Sequence, residues 1–329
     1  MVGVRAALFR ALRMTACVIV LLALAFLRPT AVVHASPSAA REASRPLLPP
    51  SIAQPAGSSS YRRMIAAFRR SVGAPPVSIL AVLDARSRAA ATCIVRTGQD
   101  TDLHAPRKSL ACAHAVSWAL AARGAGESLM ATDAVAGSAR VEVMRFAESP
   151  FHSLALADPT QTQMGFGASS GSSPSADTRF AVAIDVTGGH YADRDATSRL
   201  MAWPASGWRI NGSTSAGQEW PDPVTACGLS VAGPAMWFAR PGSSSRLVVT
   251  GLRLTTADGH RVATSWCRLS STTRAFTDPQ ASSTARGWLS WMNAVVVLPS
   301  AQLDGTYVLS AHVDGHLVHR HFTAVPSSP

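Results

Sequence analysis

The sequence predicts an α+β fold, helices first and strands after. Three observations carry that expectation. Apolar residues recur at helical spacing in segments between 61 and 157, and two strand-like runs, TQMGFGA and TRFAVAIDV, then flank the loop SSGSSPSAD. Beyond about residue 200, short β-branched runs separated by Gly, Pro and Asp-Gly turns take over. At 329 residues and 47 % hydrophobic, the chain has material for about two domains.

Residues 1–35 read as a signal peptide: Arg5, Arg10 and Arg13 precede an apolar run from Met14 to Leu27, and Val33-His34-Ala35 is a small-x-small cleavage site. That run is short for a spanning helix, so no transmembrane span is expected in the mature chain. Cleavage removes those three arginines and Arg28 but no acid, which lowers the net charge from +11 to +7. The remaining arginines are scattered, adjacent only at 62–63 and 69–70, and Lys108 is the only lysine, which argues against a nucleic-acid partner. The expected location is secreted, periplasmic or cell-envelope. Export also decides the reading of Cys93, Cys112, Cys227 and Cys267 as two disulfides. Four cysteines allow three pairings; Cys93–Cys112 with Cys227–Cys267 is the simplest by region. Residues 36–60, rich in Pro, Ser and Ala, read as a disordered linker.

Order is expected from Tyr61. Tyr61, Met64, Ile65, Phe68 and Val72 share one face of a first helix, stopped by Gly73 and Pro75. A second helix follows in SILAVLDARSRAAATCIVRTG, with Leu80, Leu83, Ala90 and Ile94 on one side and Gly98 at its end. After an aperiodic stretch holding His104, ACAHAVSWALAARG reads as a third helix and ATDAVAGSARVEVMRFAE as a fourth. In ESPFH, Ser149 is a favoured N-cap residue and Pro150 suits the first helical position, so His152 becomes the third residue of a short helix ended by Asp158-Pro159. Phe180, Val182, Ile184 and Val186 then alternate along a strand.

The stretch WPASGWRINGSTSAGQEWPDPV reads as a turn-rich connector, and the runs beyond it as a β-sandwich of roughly seven strands. Asp314-Gly315 is a hairpin turn. It puts Tyr307, Leu309, Ala311, Val313, Val318 and Phe322 on one face and His312, His319 and His321 on the other. No cysteine or carboxylate joins those histidines, so they read as an exposed sheet face rather than a metal site.

The order of these pieces resembles the CAP superfamily (cysteine-rich secretory, antigen 5 and pathogenesis-related proteins; SCP-like domains). Bacterial members carry a W-x-x-S-P-x-H-R tract, a short apolar helix, a Pro and G-x-G; here Phe146, Ser149, Pro150, His152, Pro159, Gly165 and Gly167 occupy those places. Gly73-Ala-Pro-Pro-Val-Ser is similar to the family's G-x-P-x-L lead-in to its second helix. Glu219-Trp-Pro-Asp-Pro223, Gly228-Leu-Ser-Val-Ala, Tyr307-Val-Leu and Phe322-Thr323 look like the connector and sandwich of secreted two-domain members. The resemblance implies a CAP-type α-β-α sandwich over 61–200, then an all-β immunoglobulin-like sandwich over 201–329.

It also implies a cleft lined by two histidines and two acids. His152 matches the second histidine, and Glu127 in GES the Glu of the family's GEN motif. His104 is the candidate for the first histidine, with His114 behind it, and Glu142 or Glu148 for the second acid. Ser128, Phe146 and Ser153 stand where the family has Asn, Trp and Arg. Such a set would hold zinc, through His104 and His152, if its atoms converged to about 2.0–2.2 Å. No G-x-S-x-G or H-E-x-x-H is present, so catalysis has no motif behind it. The expectation is therefore a non-enzymatic protein binding a lipid, a peptide or a cell-surface ligand. The alternatives are a metal-assisted hydrolase in the same cleft, and a degenerate CAP domain whose sandwich contacts the cell surface.

Overall fold

The computed structural model describes residues 58–97, 128–133, 139–171, 180–186, 199–273 and 276–326. Helix α1 (Ser58–Val72) begins three residues ahead of Tyr61, inside the stretch read as linker, where the Ser60 hydroxyl accepts a bond from Arg63 Nη2 at 3.3 Å. It buries Tyr61, Ile65, Phe68 and Val72, the face its periodicity marks out. Gly73 then adopts φ +88°, and the Ala74 N–H donates to the Arg69 carbonyl at 2.8 Å. That left-handed closure is the reason for glycine here.

Strand β1 (Ser78–Ile79) leads into helix α2 (Ala81–Thr97). A four-stranded sheet of order β1-β3-β4-β2 lies against it, built with β2 (Ser128–Asp133), β3 (Gln163–Ser170) and β4 (Phe180–Asp185). β3 and β4 pair antiparallel, with Phe166 opposite Ile184, as the two flanking runs predict. Strand β4 is buried on both faces rather than one. Ala181 and Ala183 join Ala90, Ala91, Cys93 and Val95 in a small second core under α2. The approach is close enough that a Cβ on Gly165 or Gly167 would stand inside the backbone of Leu83 or of Ser87–Arg88. The G-x-G pair is thus a packing device for α2.

The fourth expected helix is partly corrected. Its opening residues, Ala131–Asp133, belong to β2 and pair with Phe180–Val182, and helix α3 runs only over Ala139–Glu148. Cross-strand pairing at a sheet edge outweighs the helical propensity of this Ala-rich segment. Helix α4 (Pro150–Ala157) follows directly, with Asp158 at its C-cap as expected. The third expected helix, over 111–124, lies outside the described residues.

The connector also differs from its expectation, since it contributes strands. The remaining elements are β5 (Met201–Trp203), β6 (Trp208–Asn211), β7 (Thr214–Ser215), α5 (Pro223–Ala226), β8 (Val231–Ala232), β9 (Met236–Ala239), β10 (Val249–Thr256), β11 (Trp266–Ser270), α6 (Pro279–Trp291), β12 (Ala294–Pro299), β13 (Gly305–Val313) and β14 (His316–Val325). They form two four-stranded sheets, β10-β13-β14-β6 and β11-β12-β9-β5, beside a short β7-β8 ribbon. The first buries Tyr307, Leu309, Ala311, Val313 and Phe322 and exposes His312, His319 and His321, with Ser310 Oγ and His319 Nδ1 2.9 Å apart across the strand pair. In the second, β12 is buried throughout because α6 covers it with Ala281, Ala285 and Leu289. Helix α6 went unread in the sequence, although Asp278-Pro279 carries an N-cap signal and Asp278 Oδ1 accepts the Gln280 N–H at 2.9 Å. Cys227 and Cys267 form the expected disulfide, tying the end of α5 to β11. Cys93 is also disulfide-bonded, and Cys112 lies outside the described residues.

One apolar core runs from Tyr61 in α1 to Ala324 in β14. Phe68 of α1 packs edge-on against Trp203 and Trp208, with ring centroids 5.4 and 6.4 Å away. Among the described residues, no helix is long and apolar enough to cross a membrane.

Candidate functional site

Helix α4 has only eight residues, too few to be stable alone in water. Its first turn shows what holds it. Ser149 occupies the N-cap position with extended angles, φ −89° and ψ 111°, and its carbonyl accepts the Ser153 N–H at 2.8 Å. Its hydroxyl makes no capping bond, so the side-chain role expected of Ser149 is absent. Pro150 has no N–H to satisfy. The next two donors, the N–H groups of Phe151 and His152, go to Glu219 Oε1 at 2.9 and 3.0 Å. The His152 ring reaches the same oxygen through Nδ1 at 2.9 Å. A longer carboxylate arriving from outside the helix therefore replaces the local hydroxyl.

Glu219 sits in the E-W-P-D-P run ahead of α5, which Asp222 makes rigid. Asp222 Oδ1 accepts the N–H groups of Val224 and Thr225, and its Oδ2 accepts that of Gly217 at 2.8 Å. Burial opposes ionisation of Asp222, but the Thr225 hydroxyl and these N–H groups together hold its carboxyl below the usual range. The Glu219 side chain is 2 % exposed and that of His152 12 %. The second oxygen of Glu219, Oε2, is buried and has no hydrogen-bond partner among the described residues.

The other end of α4 carries the opposite charge. Arg69 of α1 is buried; its Nη1 donates to the Leu156 carbonyl at 2.6 Å and its Nη2 to the Asp158 carbonyl at 3.1 Å. An anion at the N-terminus and a cation at the C-terminus both match the helix dipole, and each contributes up to about 2 kcal/mol when partly buried. Two further bonds fix the helix laterally. Ser153 Oγ accepts the Trp237 indole N–H at 2.6 Å, and Asp158 Oδ2 accepts that of Trp291 at 2.9 Å.

Around His152, Phe146 packs on the imidazole with ring centroids 5.7 Å apart. Glu148, one of the two candidates for the second acid, turns instead toward β6, where Oε1 accepts the Asn211 N–H at 2.8 Å. Burial pushes its pKa up to about 7, with the Asn211 N–H and the Arg145 charge pulling the other way.

Of the expected cleft residues, His152 is described and meets a carboxylate. His104, Glu127 and His114 lie outside the described residues, as does the side chain of Glu142. Among the described residues, no three His, Cys, Asp or Glu side chains cluster as metal ligands. Sequence reasoning missed Glu219 and Arg69 as site residues. Glu219 was quoted only as part of a connector motif, and their partners lie 67 and 87 residues away, beyond any local pattern. No protein-family model matches the chain, and no curated protein matches it in sequence.

Proposed function

We propose that this chain is an exported binding protein of CAP type, with an immunoglobulin-like sandwich following the CAP domain, and that His152 contacts its ligand without catalysing a reaction. The observation carrying this reading is the single oxygen Glu219 Oε1, shared by Phe151 N–H, His152 N–H and His152 Nδ1. That oxygen already accepts from two backbone donors, so Nδ1 is the donor to it and Nε2 becomes the acceptor nitrogen of the neutral ring. A fixed acceptor of this kind suits a hydroxyl, amide or ammonium group on a lipid, peptide or cell-surface molecule.

Hydrolysis would need more. An oxyanion is commonly stabilised by backbone N–H groups such as those at a helix start. Here the available N–H groups of α4 are taken up by Glu219. Ser153, the hydroxyl nearest His152 in sequence, is engaged by Trp237 and by the Pro150 carbonyl.

Calorimetric zinc titration and metal analysis of the purified chain, beside assays on p-nitrophenyl acetate and casein, test the reading. The expected result is no turnover above background, with wild type and His152→Ala alike. Zinc-dependent turnover lost in His152→Ala would overturn it in favour of a metal-assisted hydrolase.

A further inference from the structure

A second site, independent of His152, lies at an open edge of the two four-stranded sheets. Strand β10 pairs locally with the segment that follows it: the Val262 N–H donates to the Leu254 carbonyl at 2.9 Å, and Thr255 bridges Arg261. After Val262 the chain leaves β10 and crosses to the other sheet, where Trp266 stands opposite Pro299 of β12. The parting of these two segments opens a wedge of about 340 Å³. Its floor is apolar, with Leu252, Leu254 and Val262, and Trp266 forms a wall.

Two exposed arginines, Arg253 and Arg261, are also among its lining residues, and their long side chains can reach the mouth from the outer face of the strand. Neither makes an ion pair among the described residues, and no carboxylate lines the wedge. Asp258, in the turn between the two segments, is engaged by the Thr256 hydroxyl and lies 3.4 Å from His260.

An apolar floor with two unpaired arginines at the mouth selects a ligand that is apolar at one end and anionic at the other. The volume is at the small end of small-molecule sites, too little for a long-chain lipid. We propose that this wedge binds a short amphipathic carboxylate, its apolar body against Leu252, Leu254 and Trp266 and its carboxylate between Arg253 and Arg261.

The full chain is titrated with octanoate, octanol and acetate by calorimetry, and the indole N–H signal of Trp266 (assigned with Trp266→Phe) is followed by NMR. Octanoate is expected to bind one site and to shift the Trp266 signal. The gain from charge-assisted bonds predicts octanol binding at least about tenfold more weakly. Acetate should leave the signal unmoved. Arg253→Gln/Arg261→Gln, altered only at exposed positions, should bring octanoate down to the affinity of octanol, while His152→Ala should change nothing. Octanol binding as tightly as octanoate, a Trp266 signal unmoved by octanoate, or unchanged octanoate affinity in the double variant would each overturn the proposal.

Discussion

Two residues with capping chemistry meet at the start of α4, and only Glu219 reaches the N–H groups. The two can be told apart by urea denaturation. Ser149→Ala is expected to change stability by less than about 0.5 kcal/mol, whereas a serine whose hydroxyl capped the helix would lose about 0.5–2 kcal/mol. Glu219→Ala leaves buried donors unsatisfied and is expected to cost about 3 kcal/mol; Glu219→Gln keeps an acceptor and should cost less. Glu148 gives a pH signature. Its folded pKa of about 7 lies above the 4.5 of an ordinary glutamate, so between these the native state holds the extra proton. Stability from this group is therefore highest below about pH 4.5 and is lost as pH rises to 7, by about 2–3 kcal/mol. Glu148→Gln is expected to remove that slope and to be more stable than wild type at pH 8. A pH profile of thermal stability unchanged by the substitution would contradict the assignment.

Short elements here owe their existence to distant partners, which sets how much of them a sequence can reveal. The α1 face, the Gly73 stop, the bounds of α4 and the Asp314-Gly315 hairpin depend on neighbours within a few residues, and all were legible. The second half of strand β2, Ala131–Asp133, was read as helix because its partner β4 is remote and the Ala-rich segment it opens favours helix. The buried Ala face of β4 was hidden for a related reason, since alanine does not announce whether a helix lies above it. For the candidate site, the position of His152 was legible, but its partner was not: nothing local marks Glu219 as its carboxylate or Arg69 as the cation at the far end. Two substitutions test the element-level account. Arg69→Met should cost about 2–4 kcal/mol, because the buried Leu156 carbonyl loses the Arg69 donor and the Asp158 carbonyl is left with the Gln161 N–H. Gly167→Ala should be worse than any surface change, because the added Cβ meets the backbone of α2, and the expected outcome is loss of soluble folded protein.

Across the whole molecule, the first-sheet region and the later sheets are joined by a continuous core and by the bonds that terminate α4. A chain ending at residue 200 lacks Trp203, Glu219, Trp237 and Trp291. It is expected to lose its near-ultraviolet circular dichroism and its cooperative thermal transition, while the full chain unfolds in one transition that fluorescence and circular dichroism report alike. The proposed ligand contact depends on the same long-range connection, since it requires Glu219 to hold the His152 ring. Nitrogen-15 NMR of the imidazoles, with His152 assigned through His152→Ala, addresses this most directly. The account predicts that neutral His152 carries its proton on Nδ1, in slow exchange with water, and that Glu219→Gln weakens this preference and speeds the exchange. A His152 ring protonated on Nε2 in the wild type, or one unaffected by Glu219→Gln, would contradict it.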